Sequence, residues 1–454
     1  MRRHALAFPL AVAVALAFAA CSDSGSTGDT VASEPSTSIP ASTTTGLGDA
    51  ILEQSLACDP LDERACLLPW PNDAFTVPDP ATATGRRLAI HAQSTPANAD
   101  GVHIDVTDQN RADGFSPGSA ILALVPGLDI EATGIAPSTD IGASLAEDAP
   151  VVLLDTTTGE RVPYWGELDA AAPAGDQLLM IHPAVGLGEG HHVVVAMRRL
   201  KDTNYVTLER SSAFQAAIDG TPEPAERTRA FRELLTALAD AGVTDDDLYL
   251  AWDFTVASAQ SLSGRVLNMR DVAYTELGDA APAFTVSGQS TTGNVRTIDG
   301  TYQVPNFLSA DGAPGSTLTL GVDGLPQRNN DSPFFTAGFH CVVPDAPDAP
   351  VPGIVYGHGL LGSRGEVGAL SFAAEISVAA ACATDAIGMS TDDIANLATI
   401  LGDLSHFDQQ ADRMQQGILN QARTNVQKQV ETLVGDLGVA GATIRFQDQP
   451  RNGI

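Results

Sequence analysis

The chain has 454 residues, is 44% hydrophobic and carries a formal net charge of −32 at pH 7. That apolar content is ample for two or three packed domains at roughly 150 residues each, while the charge excludes nucleic acid as a partner, because binding phosphates needs clustered cations that release counterions. The same charge speaks against electrostatic docking on anionic lipid and fits a protein kept soluble in a salty or extracellular setting.

The first element is a secretory signal over 1–20. Arg2, Arg3 and His4 give a basic start, and Ala5 to Ala20 form an uncharged apolar run too short to span a bilayer comfortably. The run ends in Phe18-Ala19-Ala20-Cys21. This resembles a lipobox with Phe in place of the usual Leu, which implies cleavage before Cys21 and lipid on that cysteine. The bland alternative is an ordinary signal peptide cut nearby. Ser22 to Thr45 are rich in Ser, Thr, Gly, Asp and Pro, a composition that buries too little surface to fold and suits a tether. A short helix at 46–57 completes a 21–57 segment that would hold the body at the cell membrane or outer surface through its lipid.

Setting Cys21 aside leaves Cys58, Cys66, Cys341 and Cys382. An even number in an exported chain reads as disulfides, and three pairings are open. Proximity favours Cys58–Cys66, and Cys341–Cys382 would staple one predicted unit. No Cys-x-x-Cys or His-x3-His spacing supports a metal site, and no metal or cofactor is expected.

Residues 58–220 read as a β-rich, sandwich-like domain. After a Pro- and Asn-rich loop, short apolar runs at Ile121–Val125, Val151–Leu154, Leu178–Ile181 and Val193–Met197 are separated by turn residues. Thr157-Thr158-Gly159-Glu160 reads as a hairpin tip. Residues 221–343 form a mixed connecting region. Phe231, Leu234, Leu235 and Leu238 recur at helical spacing before Gly242, Leu248–Val256 alternates as a strand, and Leu262–Leu277 is helical.

From 344 to 454 the pattern is that of an α/β unit. Gly353–Tyr356 is a short apolar run breaking into glycine, Glu366–Ala381 reads as a helix and Cys382–Met389 as the next parallel strand. A long helix follows Ser405, with Ser405 and Asp408 as a capping pair. Phe407, Ala411, Met414, Ile418, Ala422, Val426, Val430 and Leu433 lie on one face of it. Gly435 and Gly438 stop the helix, and Ala442–Phe446 begins a further strand.

Gly357-His358-Gly359-Leu360-Leu361-Gly362-Ser363 resembles the oxyanion loop of α/β-hydrolases. In that family a backbone N–H of the turn binds the developing oxyanion. The resemblance implies that Leu360 supplies the N–H and that His358 shapes the turn. Leu67–Asp73, Asp113–Pro117, His182-Pro183, His192–Met197 and Ala251–Thr255 are similar to segments of bacterial surface lipases of the virulence-factor type. This implies a mixed fold: an N-terminal β-sandwich-like domain followed by the first part of an α/β-hydrolase domain, acting on carboxylic esters or lipids.

The sequence departs from that family at the nucleophile. The single Gly-x-Ser-x-Gly, Gly114–Gly118, lies upstream in the β-region with Pro117 in its turn, and reads as a coincidental match. Ser363, Ser390 and Ser405 lack the elbow pattern, and His406, the only histidine after His358, stands before the long helix, too early for the triad base. The expectation is therefore a C-terminally incomplete family member without nucleophile, acid or base. The alternative is a non-catalytic surface-binding or adhesion lipoprotein with a degenerate hydrolase half. Asp392, Asp393 and Asp403 read as a solvated acidic loop. Asp105, Asp108, Asn110 and Asp113 fail the spacing of a calcium loop.

Overall fold

The computed structural model describes residues 58–59, 66–173, 175–220, 225–278, 282–345, 347 and 351–421. The signal expected at 1–20, the lipid expected on Cys21, the tether and helix expected at 22–57, the expected continuation of the last helix past 421 and the strand expected at 442–446 all lie outside the described residues.

The described residues form a mixed α/β structure with several sheets. β1 (Thr76–Pro78) and β2 (Arg86–Leu88) make a small antiparallel pair. A three-stranded antiparallel sheet has the order β3 (Ile121–Leu124), β7 (Leu178–Pro183), β6 (Tyr164–Leu168). A four-stranded antiparallel sheet has the order β5 (Glu160–Arg161), β4 (Val151–Asp155), β8 (His192–Arg198), β9 (Leu248–Thr255). The predicted hairpin tip joins β4 to β5, where Asp155 pairs with Glu160.

Both sheets feed one hydrophobic core running from Phe75 to Val256. β8 is buried without alternation from Val193 to Arg198, as a central strand covered on both faces must be. One cover is α3 (Ala225–Asp240), whose Leu234 and Leu238 are buried at helical spacing. The short helices α1 (Ile130–Thr133) and α2 (Ser212–Ile218) are capped by Asp129 and Ser211, whose side chains accept from Ala132 N and Phe214 N. The 221–343 region is thus more than a connector on its N-terminal side: α3 and β9 complete the first core.

α4 (Ala259–Leu277), capped by Ser258, leads into the five-stranded sheet. Its order is β10 (Phe284–Thr292), β11 (Val295–Pro305), β12 (Phe334–Pro344), β14 (Ala380–Thr384), β13 (Gly353–Tyr356). Only β13 and β14 are parallel; the others pair antiparallel. Three strands assigned to the connecting region therefore belong to the sheet that carries the Gly-His-Gly turn. Cys341 and Cys382 are direct register partners on β12 and β14 and form a disulfide, and Cys58–Cys66 forms the other.

The helix expected over Glu366–Ala381 is corrected. A 3-10 turn spans Arg364–Leu370, α5 spans only Ser371–Glu375, and Ala380–Thr384 is strand. The alanines suit a helix intrinsically, but Ser377 takes a left-handed φ of 57°, which ends the helix. Wedged between β12 and β13, β14 is buried at every position, a place where small side chains fit.

α6 (Ile394–Gly402) and α7 (Phe407–Gln421) close the described chain. Asp403, rather than Ser405, caps the turn before α7 by accepting from Ser405 N at 3.0 Å. Ser405 Oγ instead accepts from Asp105 N. Gly388 passes so close to α7 that a Cβ on it would stand 2.6 Å from Met414 N, and its φ is +88°.

Candidate functional site

The 357–363 turn follows β13 directly. His358 is buried, and both ring nitrogens are engaged: Nε2 accepts from Ala386 N at 2.8 Å, so Nδ1 carries the proton and donates to Gly359 O at 2.7 Å. The ring bridges the turn to the segment after β14, an arrangement that leaves it no lone pair for base chemistry. Leu361 N donates to Met389 O at 2.7 Å, with φ +58° at Leu361.

Glu366 braces the same turn from behind. Its carboxylate accepts from Gly359 N at 3.2 Å, Ser363 N at 3.4 Å and Tyr356 OH at 3.4 Å. Arg364 donates through its backbone N to Asp385 at 2.8 Å and pairs with the same carboxylate through its guanidinium. Among the described residues no acceptor meets the N–H of Leu360, which stands 77% exposed at the tip. A backbone donor left without an internal acceptor on a braced turn is one of the things that binding a tetrahedral oxyanion requires.

The serines near this turn are committed elsewhere. Ser390 Oγ donates to Asp393 at 2.7 Å, Ser405 Oγ takes Asp105 N, and Ser363 forms a capping box with Glu366. His406 is exposed, 3.9 Å from Asp403. Asp393 is no solvated acid, contrary to the reading of the 392–403 acidic loop. It is buried, accepts from Gly388 N and Ser390 N, and pairs with the buried Arg413 at 2.7 Å. The charge of Arg413, 20 residues away in sequence and invisible to spacing, is what lets that carboxylate be buried.

The upstream Gly-x-Ser-x-Gly is a packing motif. Phe115 is buried and its N donates to Thr255 O at 2.9 Å, and a Cβ on Gly114 would lie 2.6 Å from Ala257 N. Asp113 is buried and accepts from Ser258 N and Oγ. Asn110 exchanges hydrogen bonds with the backbone of Ile90, and Asp108 pairs with Arg111 and Arg265. The calcium-loop residues are thus dispersed among internal partners.

Sequence reasoning missed a second cluster. Asp73, His192 and Asp253 each offer a ligand atom, all within 4.8 Å of one another. His192 meets Asp253 through Nε2 at 2.8 Å and Thr156 Oγ1 through Nδ1 at 2.9 Å. Buried Asp73 accepts from Thr255 N at 2.9 Å and Thr255 Oγ1 at 2.7 Å, and Arg86 stands 3.2 Å away. Burial raises the Asp73 pKa against the pull of Arg86. Burial also draws the His192 pKa down, but the hydrogen bond and charge of Asp253, with Asp73, outweigh it and leave it raised. With Arg86 and Thr255 already on Asp73, the arrangement acts as a charge network tying the 72–76 turn to β8 and β9 rather than as an open cation site. The signal available was the set Asp73, His192–Met197 and Ala251–Thr255, whose joint purpose is structural. Trp252 Nε1 adds to it by donating to Pro71 O at 2.7 Å.

No family model and no curated protein sequence matches the chain. Two solved structures are similar over part of their length. One is an acetyl xylan esterase from Paenibacillus sp. R4, 20% identical, covering 28% of this chain and 32% of that one at a TM-score of 0.17. The other is a Bacteroides fragilis NCTC 9343 protein named as an acetyl xylan esterase, 14% identical, covering 41% and 45% at a TM-score of 0.21. The chain spans less than half the length of either, and overlaps this loose carry no argument about its chemistry.

Proposed function

We propose that residues 344–421 carry the oxyanion-binding turn of a carboxylic-ester hydrolase, borne on an exported, lipid-anchored protein whose N-terminal half is sandwich-like. The observation that carries the reading is the N–H of Leu360, without an acceptor among the described residues, on a turn fixed by His358 and Glu366. The described residues supply this donor and not a nucleophile; ester cleavage by the serine route needs a hydroxyl activated by an adjacent base. The ligand class is therefore a carboxylic ester or its tetrahedral adduct. Export and anchoring rest on the signal and Cys21. Among the described residues no helix is long and apolar enough to cross a membrane.

The test is an amide NMR titration of the chain with butylphosphonate, a tetrahedral anion. The Leu360 amide is expected to shift saturably, and the shift to vanish in His358→Ala. A Leu360 amide that stays fixed up to millimolar ligand would sink the reading. It would favour the alternative of a non-catalytic surface-binding lipoprotein, which the structural commitment of Ser363, Ser390 and Ser405 supports. For the anchor, Cys21→Ser is expected to move the protein from the membrane fraction to the soluble one.

A further inference from the structure

The stretch 388–391 is gripped from two sides. On one side Met389 O takes Leu361 N at 2.7 Å and Thr391 N donates to Gly362 O at 2.8 Å, so the stretch meets the 357–363 turn as a short parallel bridge. Thr391 Oγ1 adds bonds to Leu361 O and Gly362 O. On the other side Gly388 N, Ser390 N and Ser390 Oγ all donate to one oxygen, Asp393 Oδ2, at 2.8, 3.0 and 2.7 Å. The backbone groups used by the turn and by Asp393 alternate along the same few residues, so fixing one side fixes the other.

The second oxygen of Asp393 belongs to Arg413. Its Nε donates to Oδ1 at 2.7 Å, and the guanidinium reaches on to Gly312 O. Arg413 stands on α7, which is pinned by its polar side: Asp412 accepts from Leu318 N, Gln416 from Phe307 N, and Asn420 O from Tyr302 OH. Two glycines let the backbones close on each other. A Cβ on Gly388 would stand 2.6 Å from Met414 N, and one on Gly417 would stand 2.6 Å from Ile387 O.

Stability alone does not call for this pair, because well-packed apolar residues often serve a buried place as well or better. What a carboxylate alone supplies is acceptors on both sides. An amide at 393 would turn its NH2 either on Arg413 or on the Gly388 and Ser390 donors. Leu361 shows what the arrangement holds in place. Its φ is +58°, a left-handed conformation that a residue with a Cβ avoids and keeps only where its surroundings over-determine it. Both its N–H and its C=O are taken by 389–391. Were Leu361 to relax, the path of the chain through the tip would change, and with it the direction of the Leu360 N–H.

We propose that Asp393, held by Arg413, is the positioning residue of the oxyanion-binding turn. It grips 388–391 from one side so that the other side keeps Leu361 left-handed. This role rests on the reading of the turn as an oxyanion site, and Asp393 acts through 388–391 rather than on a ligand.

Amide exchange followed by NMR on the full chain tests this, with Val342 in the central strand β12 as the reference for global opening. Asp393→Asn is expected to speed exchange of the Leu361 amide at least tenfold, leave Val342 unchanged, and weaken the butylphosphonate titration of Leu360 at least tenfold. The milder Arg413→Lys keeps the charge and loses the fork; it is expected to speed Leu361 at least twofold, again without moving Val342. If Asp393→Asn does not fold, Arg413→Lys decides by the same comparison. Leu361 and Val342 accelerated equally would mark a merely structural pair and overturn the proposal. So would a Leu361 amide unchanged in a folded variant, or an unchanged butylphosphonate affinity in Asp393→Asn. Because Leu361 exchange needs no ligand, the two readings separate. A native Leu360 amide that ignores butylphosphonate, with Leu361 still responding to Asp393→Asn, sinks the oxyanion site and upholds Asp393 as the residue that sets the turn.

Discussion

Asp73 is the residue on which the N-terminal half turns. Its carboxylate accepts from Thr255 twice and faces Arg86, joining the first described turn to β9. In Asp73→Asn one oxygen still accepts from Thr255 N, but the amide NH2 is set against the Arg86 guanidinium, donor against donor, and the charge that paired with it is lost. A loss of about 2–4 kcal/mol is expected for a buried, charge-assisted network, read as a lower urea midpoint at unchanged m-value. Asp412 shares the upward pKa shift of Asp73 but meets its arginine, Arg265, only at 3.9 Å. Burial lifts its pKa from 3.8 to about 6, opposed by the Leu318 N–H and raised further by Asp108. A folded pKa above the unfolded one favours the protonated form. Its contribution is fully present below pH 3.8 and lost as pH rises through 6. Asp412→Asn keeps an acceptor for Leu318 N and removes the charge. It is expected to be more stable than the parent by about 1–3 kcal/mol at pH 7.5, with the difference gone at pH 3.5; thermal melts across that range check it.

At the scale of elements, the segment after β14 packs closely on α7, beside the five-stranded sheet. Gly388→Ala places a methyl 2.6 Å from Met414 N at a φ of +88°. Strain and overpacking together predict a loss of about 2–3 kcal/mol, measurable by denaturant titration. Because the affected contact holds Met389, whose carbonyl takes Leu361 N, the same variant is expected to broaden the amide signals of the 357–363 turn. The strands of the first core were legible at this scale because β-branched runs between turn residues need no knowledge of partners. β14 was not, since its alanines favour helix locally and only β12 and β13 on either side, with the Cys341–Cys382 bridge, hold it extended.

For the whole molecule, the charge of −32 is a standing repulsion that no local pair cancels. Salt screens it over a Debye length of about 10 Å at 0.1 M. The melting temperature is therefore expected to rise between 20 and 300 mM NaCl, as differential scanning calorimetry would show. A flat or falling dependence would mean that attractive pairs such as Arg413–Asp393 dominate the balance.

The sequence by itself determined the net acidity, the cysteine parity, the β-rich first half and the strand leading into Gly357–Ser363. Each is a property of composition, period or a contiguous motif, readable without partners. The tertiary structure decided which side of α7 is buried, that Asp393 is paired rather than solvated, that His358 spends both nitrogens on the turn, and that Asp73, His192 and Asp253 converge. These depend on residues far apart in the chain. Hydrogen-bond partners such as Leu318 for Asp412 or Thr255 for Asp73 reverse what a local pattern favours, because a buried polar group is stable only where its partner is brought to it.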